Sequence, residues 1–334
     1  MGDTLMHGGD WKSYLEQYGK EPLDFSASIS PLGLPGSVRE AVIRSLTAAD
    51  RYPDPRCREL CRALSARFSV PESRIACGNG AADLIYRIVA YVRPKTALLF
   101  SPCFSEYEKA LREYGTELRF CERAEQLPEL AESAELTFLC QPNNPTGLLF
   151  PPALLRELLD SRGILVLDEC FLDFVEKREE YSLLGSLPYR RNLIILNAFT
   201  KSYAMAGLRL GYAVCGDAGT AEGIRSVGQA WPVSGPAQAA GIAALGDREY
   251  MERVRAFIAA ERPRLLNALT ELGFEVVPGT ANFLLFHSDR PLHPEGILLR
   301  DCSGFRGLGT GWYRTAVRLP EENDRLIRAL RECD

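Results

Sequence analysis

Through the middle of the chain, short runs of consecutive apolar residues alternate with longer stretches whose apolar positions recur every three or four residues. The short runs are Thr96–Ser101, Leu136–Cys140, Ile164–Asp168, Leu193–Asn197 and Leu208–Val214. Several are apolar throughout, the pattern of strands covered on both faces. Between them, Ala81–Val92 carries Leu84, Ile85, Ile88 and Val92 on one helical stripe, and Phe104–Tyr114 reads as a second helix. This alternation predicts a mostly parallel α/β sheet. After about residue 220 the order changes. A long helical pattern over Arg248–Leu272 precedes strand patterns at Ala281–His287, Ile297–Asp301 and Tyr313–Arg318, and a charged helix over Glu321–Cys333 follows. Strands and helices segregated in this way predict a smaller α+β domain. The expected organisation is therefore an N-terminal arm over 1–35 that joins the small domain, a large domain over 36–220, and a small domain over 221–334.

Composition narrows the picture only a little. At 334 residues the chain is long enough for two domains, with 46% hydrophobic and 25% charged residues, as in ordinary globular proteins. A net charge of −5 gives no general attraction to nucleic acid or anionic membranes. The ten cysteines are scattered, and no Cys-x-x-Cys has a histidine partner, so no metal site is expected. No run of about 18 apolar residues and no signal-like start is present. A cytoplasmic protein with reduced thiols and no membrane partner is expected.

Candidate chemistry converges on Lys201, within Asn197-Ala198-Phe199-Thr200-Lys201-Ser202. Upstream stand Asn143-Asn144-Pro145-Thr146-Gly147 and Asp168-Glu169, the latter closing the apolar run Gly163–Leu167. A lysine, an acid and an asparagine in this arrangement meet the needs of pyridoxal 5′-phosphate: an amine for the aldehyde, an anion for the ring nitrogen and a donor for the ring hydroxyl oxygen. Asp168, at the carboxyl end of a parallel strand, would face a ligand crevice. Gly78-Asn79-Gly80-Ala81-Ala82-Asp83 enters a helix, where glycines let backbone N–H groups approach an anion, so Gly80 and Ala81 are candidate phosphate contacts. Thr200 and Arg209 are further phosphate candidates.

On these motifs the chain resembles the fold-type I pyridoxal-phosphate enzymes, in the branch that holds the class I and II aminotransferases and the histidinol-phosphate aminotransferases. The resemblance extends from His7 to the last helix. Within the branch, His7-Gly8-Gly9, Leu23-Asp24-Phe25-Ser26-Ala27, Arg51-Tyr52-Pro53-Asp54 and Arg314-Thr315-Ala316-Val317-Arg318 are most similar to the L-threonine O-3-phosphate decarboxylases of cobalamin biosynthesis. The implied fold is the aspartate aminotransferase-like one.

The resemblance also implies roles. Lys201 holds the cofactor covalently, Asp168 pairs with the ring nitrogen, Asn144 binds the ring hydroxyl oxygen and the substrate, and Phe104 stacks on the ring. Tyr52 reaches the cofactor phosphate of a neighbouring subunit, which implies a homodimer with shared active sites. Arg314 takes the substrate carboxylate, while Arg300 and His7 take the substrate phosphate. Ser28 stands among the substrate residues where the decarboxylase pattern has Asn, Ser234 replaces another Asn, and Ala198 replaces a hydroxyl residue near the lysine.

The implied reaction is decarboxylation of threonine phosphate. Phe171, where aminotransferases usually carry Tyr, and Arg318, where the histidinol-phosphate enzymes usually have Gly, point the same way. Histidinol-phosphate aminotransferase remains the rival. A sensor domain of a regulator is a third reading, disfavoured by the short stretch before His7.

Overall fold

The computed structural model describes residues 7–333; residues 1–6 of the expected arm and Asp334 lie outside that range. A seven-stranded sheet forms the centre, in the order Ile75–Gly78, Gly211–Cys215, Leu193–Ala198, Ile164–Asp168, Leu136–Cys140, Thr96–Phe100 and Glu117–Cys121. Neighbours run parallel except at Gly211–Cys215, which is antiparallel to both of its partners. Only about a dozen residues separate it from the preceding strand, the lower limit for the crossover that a parallel neighbour requires.

The continuous apolar runs have a direct explanation. Successive side chains of a strand point to opposite faces, and each face has its own core. Leu165 and Leu167 enter one cluster while Val166 enters the other, and Ile195 and Ile194 divide in the same way. The helices Gly80–Val92 and Ser105–Glu113 cover the second cluster through Leu84, Ile88, Tyr107 and Leu111. A polar residue at any of these positions would face apolar neighbours on one side or the other.

A second, four-stranded antiparallel sheet follows the order Arg300–Asp301, Trp312–Ala316, Phe283–His287 and Glu275–Val277. The predicted strand over 297–301 divides at Leu299. Its first half, Ile297–Leu298, pairs in parallel with Leu23–Asp24 of the N-terminal segment, and its second half joins the antiparallel sheet. The long helix Arg248–Glu271 agrees closely with its pattern and is capped by Asp247, which accepts from the Tyr250 amide. Helices Ala218–Ser226 and Gly235–Gly246 pack on elements of the large-sheet side.

Leu208–Val214 required a correction. Residues 208–210 do not start the strand; the amides of Leu208 and Arg209 both donate to the Met205 carbonyl and close a turn over 205–209. Arg209 has a φ of 57°, and this left-handed turn carries its side chain to Gly80. Strand pairing starts at Gly211, opposite Ala198 and Gly78.

Candidate active site

The carboxyl ends of the central strands lie in register, with Cys140 beside Asp168 and Asp168 beside Leu196. Over this edge lies a cavity of about 420 Å³ whose lining includes Lys201, Asp168, Asn144, Arg209 and Phe104. Its outer wall comes from the other sheet and the N-terminal segment: Arg300, Arg314, Phe305, Ser26 and His7. Ala81 and Thr200 line it as well.

Lys201 sits one turn past the central strand Leu193–Ala198, within the short helix Phe199–Ser202. Burial pushes its ammonium pKa down to about 8, helped by the positive charges of Arg314 and Arg209. A much larger share of neutral, nucleophilic amine is therefore present near pH 8 than for a solvated lysine. The Phe171 ring lies 6.0 Å from its Nζ.

Asp168 is buried and held by two donors. The Tyr107 hydroxyl donates to Oδ2 at 2.6 Å and the Cys170 amide donates to Oδ1 at 2.9 Å. Burial raises its pKa, while these bonds and Lys201 oppose the rise. A cationic ring nitrogen above it would offset the burial. Tyr107 is fully buried, stacks on Phe138 at 4.8 Å and meets the edge of Phe104 at 5.6 Å.

The Gly80 loop is shaped for close approach. Gly80 has a φ of 82°, and a Cβ there would stand 2.7 Å from Arg209 Nη2. A Cβ at Gly211 would stand 2.6 Å from the Ala81 amide nitrogen. Glycine at both positions brings the start of helix Gly80–Val92, Arg209 and Thr200 around one end of the cavity. A helix N-terminus beside a guanidinium suits a phosphate. The amine, the carboxylate and this cradle together fit pyridoxal 5′-phosphate.

The far end of the cavity is cationic. Arg300 and Arg314 are directly paired across two antiparallel strands, so their side chains lie on one face of the sheet. Arg314 donates from Nη1 to the Asn144 side-chain oxygen and from Nη2 to the Ser26 carbonyl, the latter at 3.2 Å. Its Nε is buried with no hydrogen-bond partner among the described residues. Burial, together with Arg300, lowers the Arg314 pKa to about 10, which leaves it charged at neutral pH. Arg300 lies over the Phe305 ring at 5.6 Å.

Ten of the residues singled out from sequence line this one cavity: His7, Ala81, Phe104, Asn144, Asp168, Thr200, Lys201, Arg209, Arg300 and Arg314. Gly80 supports it through Arg209. Ser28, Tyr52 and Ser234 stand apart. Ser28 is buried, with its hydroxyl unpartnered among the described residues, and is not in the lining. Tyr52 is 80% exposed and stacks on Trp231 at 4.4 Å. Ser234 caps helix Gly235–Gly246 by accepting from the Ala237 amide.

Arg318 is also outside the lining. It pairs through Nε and Nη2 with Glu322 and donates to the Asp24 carbonyl, so it ties a helix to the N-terminal segment. Sequence reasoning passed over Tyr107, Glu106 and Ser26 as functional residues. Tyr107 had a usable signal, three positions beyond Phe104; Glu106 and Ser26 had none.

Strand order, the single reversed strand and a buried lysine past a central strand define an α/β enzyme of the aspartate aminotransferase-like fold. The chain belongs to the aminotransferase class I and II family, whose model matches residues 20–330, and the cofactor of that family is pyridoxal 5′-phosphate. It is 36% identical to the threonine-phosphate decarboxylase of Salmonella typhimurium, over 97% of this chain and 95% of that one. It is 32% identical to histidinol-phosphate aminotransferase 2 of Ralstonia nicotianae, over 90% of this chain and 86% of that one. The structure of histidinol-phosphate aminotransferase from Sinorhizobium meliloti in complex with pyridoxal-5′-phosphate superposes with a TM-score of 0.88 at 25% identity, covering 97% of this chain and 94% of that one.

Proposed function

We propose that this chain decarboxylates L-threonine O-3-phosphate to (R)-1-amino-2-propanol O-2-phosphate for cobalamin biosynthesis. The observation that carries this reading is the pairing of Arg300 and Arg314 at one end of the cavity, with His7 beside them. A small amino acid with both a carboxylate and a phosphate matches that concentration of charge. The similarity to the Salmonella decarboxylase supports it independently.

Lys201 would hold pyridoxal 5′-phosphate covalently, with Asp168 at the ring nitrogen, Asn144 at the ring hydroxyl oxygen and Phe104 against the ring. Gly80, Ala81, Thr200 and Arg209 would take its phosphate. When bound, the group supplies an electron sink for the bond broken at Cα. The remaining work belongs to the chain. Asp168, oriented by Tyr107 and the Cys170 amide, keeps a proton at the ring nitrogen. Arg314 holds the carboxylate end of the substrate; Arg300 and His7 hold its phosphate. Fixing both ends would select which Cα bond is broken, and that choice separates loss of carbon dioxide from loss of hydrogen. Lys201 then delivers a proton to Cα. Phe104, Phe171 and Phe305 keep water away.

The second reading is histidinol-phosphate aminotransferase, favoured by relatives such as the Ralstonia enzyme. That substrate also carries a phosphate. Against it stands Phe171, which offers no hydroxyl beside Lys201. Incubation with O-phospho-L-threonine should release carbon dioxide and aminopropanol phosphate with no keto acid present. Glutamate formation that depends on histidinol phosphate and 2-oxoglutarate, without that release, would overturn the decarboxylase.

The assembly we propose is a homodimer with shared sites. The exposed Tyr52–Trp231 stack supports this as a surface that a second copy covers, bringing Tyr52 toward the partner's cofactor phosphate. All ten cysteines are free thiols, in keeping with a reducing cytoplasm. Among the described residues no helix is long and apolar enough to cross a membrane.

A further inference from the structure

We infer that Glu106 is a positioning residue that latches the N-terminal strap over the phosphate end of the cavity by holding His7. The inference rests on the proposed substrate only in naming which end of the ligand His7 meets.

The strap is seated by contacts that need its two glycines. A Cβ at Gly8 would stand 2.1 Å from the Ser26 carbonyl oxygen, so only glycine lies this flat on the Asp24–Ala27 turn. Gly9 has a φ of 94° and its amide donates to Ser26 Oγ at 2.7 Å. Ser26 Oγ in turn donates to Asp24 Oδ1 at 2.6 Å, and the Ser26 amide donates to the same oxygen at 2.8 Å. This seating delivers the His7 ring to 5.9 Å from Phe104, at the cavity wall.

His7 Nε2 lies 2.9 Å from Glu106 Oε1. Glu106 stands in the first turn of helix Ser105–Glu113, where a carboxylate is favoured. It is fixed from two more sides: Lys109 Nζ lies 3.1 Å from Oε1 and the Tyr86 hydroxyl donates to Oε2 at 3.1 Å. Burial pushes the Glu106 carboxyl up, but the bonds from Lys109 and Tyr86 and the charge of Lys109 bring its pKa below the ordinary value. Glu106 is thus an anion with little freedom to move.

A carboxylate accepting from one imidazole nitrogen sets both the ring orientation and the tautomer. With Nε2 committed to Glu106, Nδ1 is the nitrogen left for a ligand. Burial lowers the His7 pKa and Glu106 raises it, while Lys109 and Arg300 lower it further. A phosphate dianion arriving near Arg300 would offset those positive charges and favour the imidazolium, which donates from Nδ1. The strap is also joined to the other end of the ligand. Ser26 accepts the Gly9 amide on its hydroxyl and Arg314 Nη2 on its carbonyl.

The test uses the holoenzyme and three variants: Glu106→Ala, His7→Ala and the double substitution. Because the holoenzyme would turn O-phospho-L-threonine over, its binding is read as KM from carbon dioxide release. Each single change should weaken binding on the order of tenfold, and the double change no more than either alone, because both break one contact to the ligand. Additive losses would overturn the inference. Hydrogen exchange on the same proteins gives a readout independent of substrate: Glu106→Ala should speed exchange at the Gly9 amide, and Glu106→Gln should restore most of the protection. Unchanged exchange at Gly9 in Glu106→Ala would also overturn it. If the wild-type protein releases no carbon dioxide from O-phospho-L-threonine, the functional reading falls, and the exchange data still decide the latch.

Discussion

The two halves of the cavity, the one we assign to the cofactor and the one we assign to the substrate, are built by different means. The cofactor half rests on the ends of central strands, with Asp168, Lys201 and the Gly80 loop following directly from elements that run through both cores. The substrate half is assembled from three distant stretches: the strap around His7 and Ser26, the edge strand at Arg300, and its neighbour at Arg314. A cofactor that stays bound can be held by a rigid frame. A substrate that must enter and leave is better met by a wall made of a strap and a sheet edge, whose local opening costs less than breaking the central sheet.

That contrast can be broken by substitution. Lys201→Ala should have the largest effect, removing the amine that we propose holds the cofactor and delivers the Cα proton. Activity should fall by at least roughly 10²–10⁴ for the proton transfer alone, and the near-visible absorbance of the loaded protein should vanish. Retained colour and turnover would refute the lysine assignment. On the substrate side, Arg314→Ala should raise KM for a phosphorylated amino acid by roughly 10- to 100-fold, the loss of charge-assisted bonds to an anion. The same change should leave the cofactor absorbance in place. If it bleaches the cofactor instead, the division into two halves is wrong.

Tyr107→Phe probes the seam between the halves on the cofactor side. Loss of the hydroxyl from Asp168 should lower kcat by roughly tenfold, about 1 kcal/mol or slightly more, with KM little changed. The smallest effect concerns pH. Because burial lowers the Lys201 pKa to about 8, the neutral amine becomes the main form only above that value. Capture of pyridoxal 5′-phosphate by the apoprotein should therefore quicken as pH rises toward about 8 and level off above it. A rate that is flat from roughly pH 6 to 9 would refute a titrating Lys201.

Much of the half assigned to the cofactor was legible in the sequence. Asp168 closes an apolar run, and Lys201 follows another by only a few residues, so their placement at strand ends could be read directly. The turn over 205–209 was not legible, since Leu208 and Leu210 read as strand residues. Its conformation depends on Met205 accepting two amides and on Gly80 leaving space for Arg209. The substrate half was reached through resemblance rather than pattern. Arg300 and Arg314 become neighbours only because two strands align, a register that no local spacing reveals. Arg318, which separates the two reactions by residue type, makes contacts that no local spacing reveals: it binds Glu322 and the Asp24 carbonyl.

Local pattern alone determined the strand–helix alternation, the buried strand ends and the lysine, acid and asparagine set there, because apolar periodicity follows from which faces a segment must bury. Tertiary structure decided the rest: the reversed strand at Gly211, the Tyr107 bond to Asp168, the pairing of Arg300 with Arg314, and the seating of His7 on Glu106. Each of these depends on the distance between residues far apart in the chain. Such distances are set by the packing of whole elements against one another, which no single segment encodes.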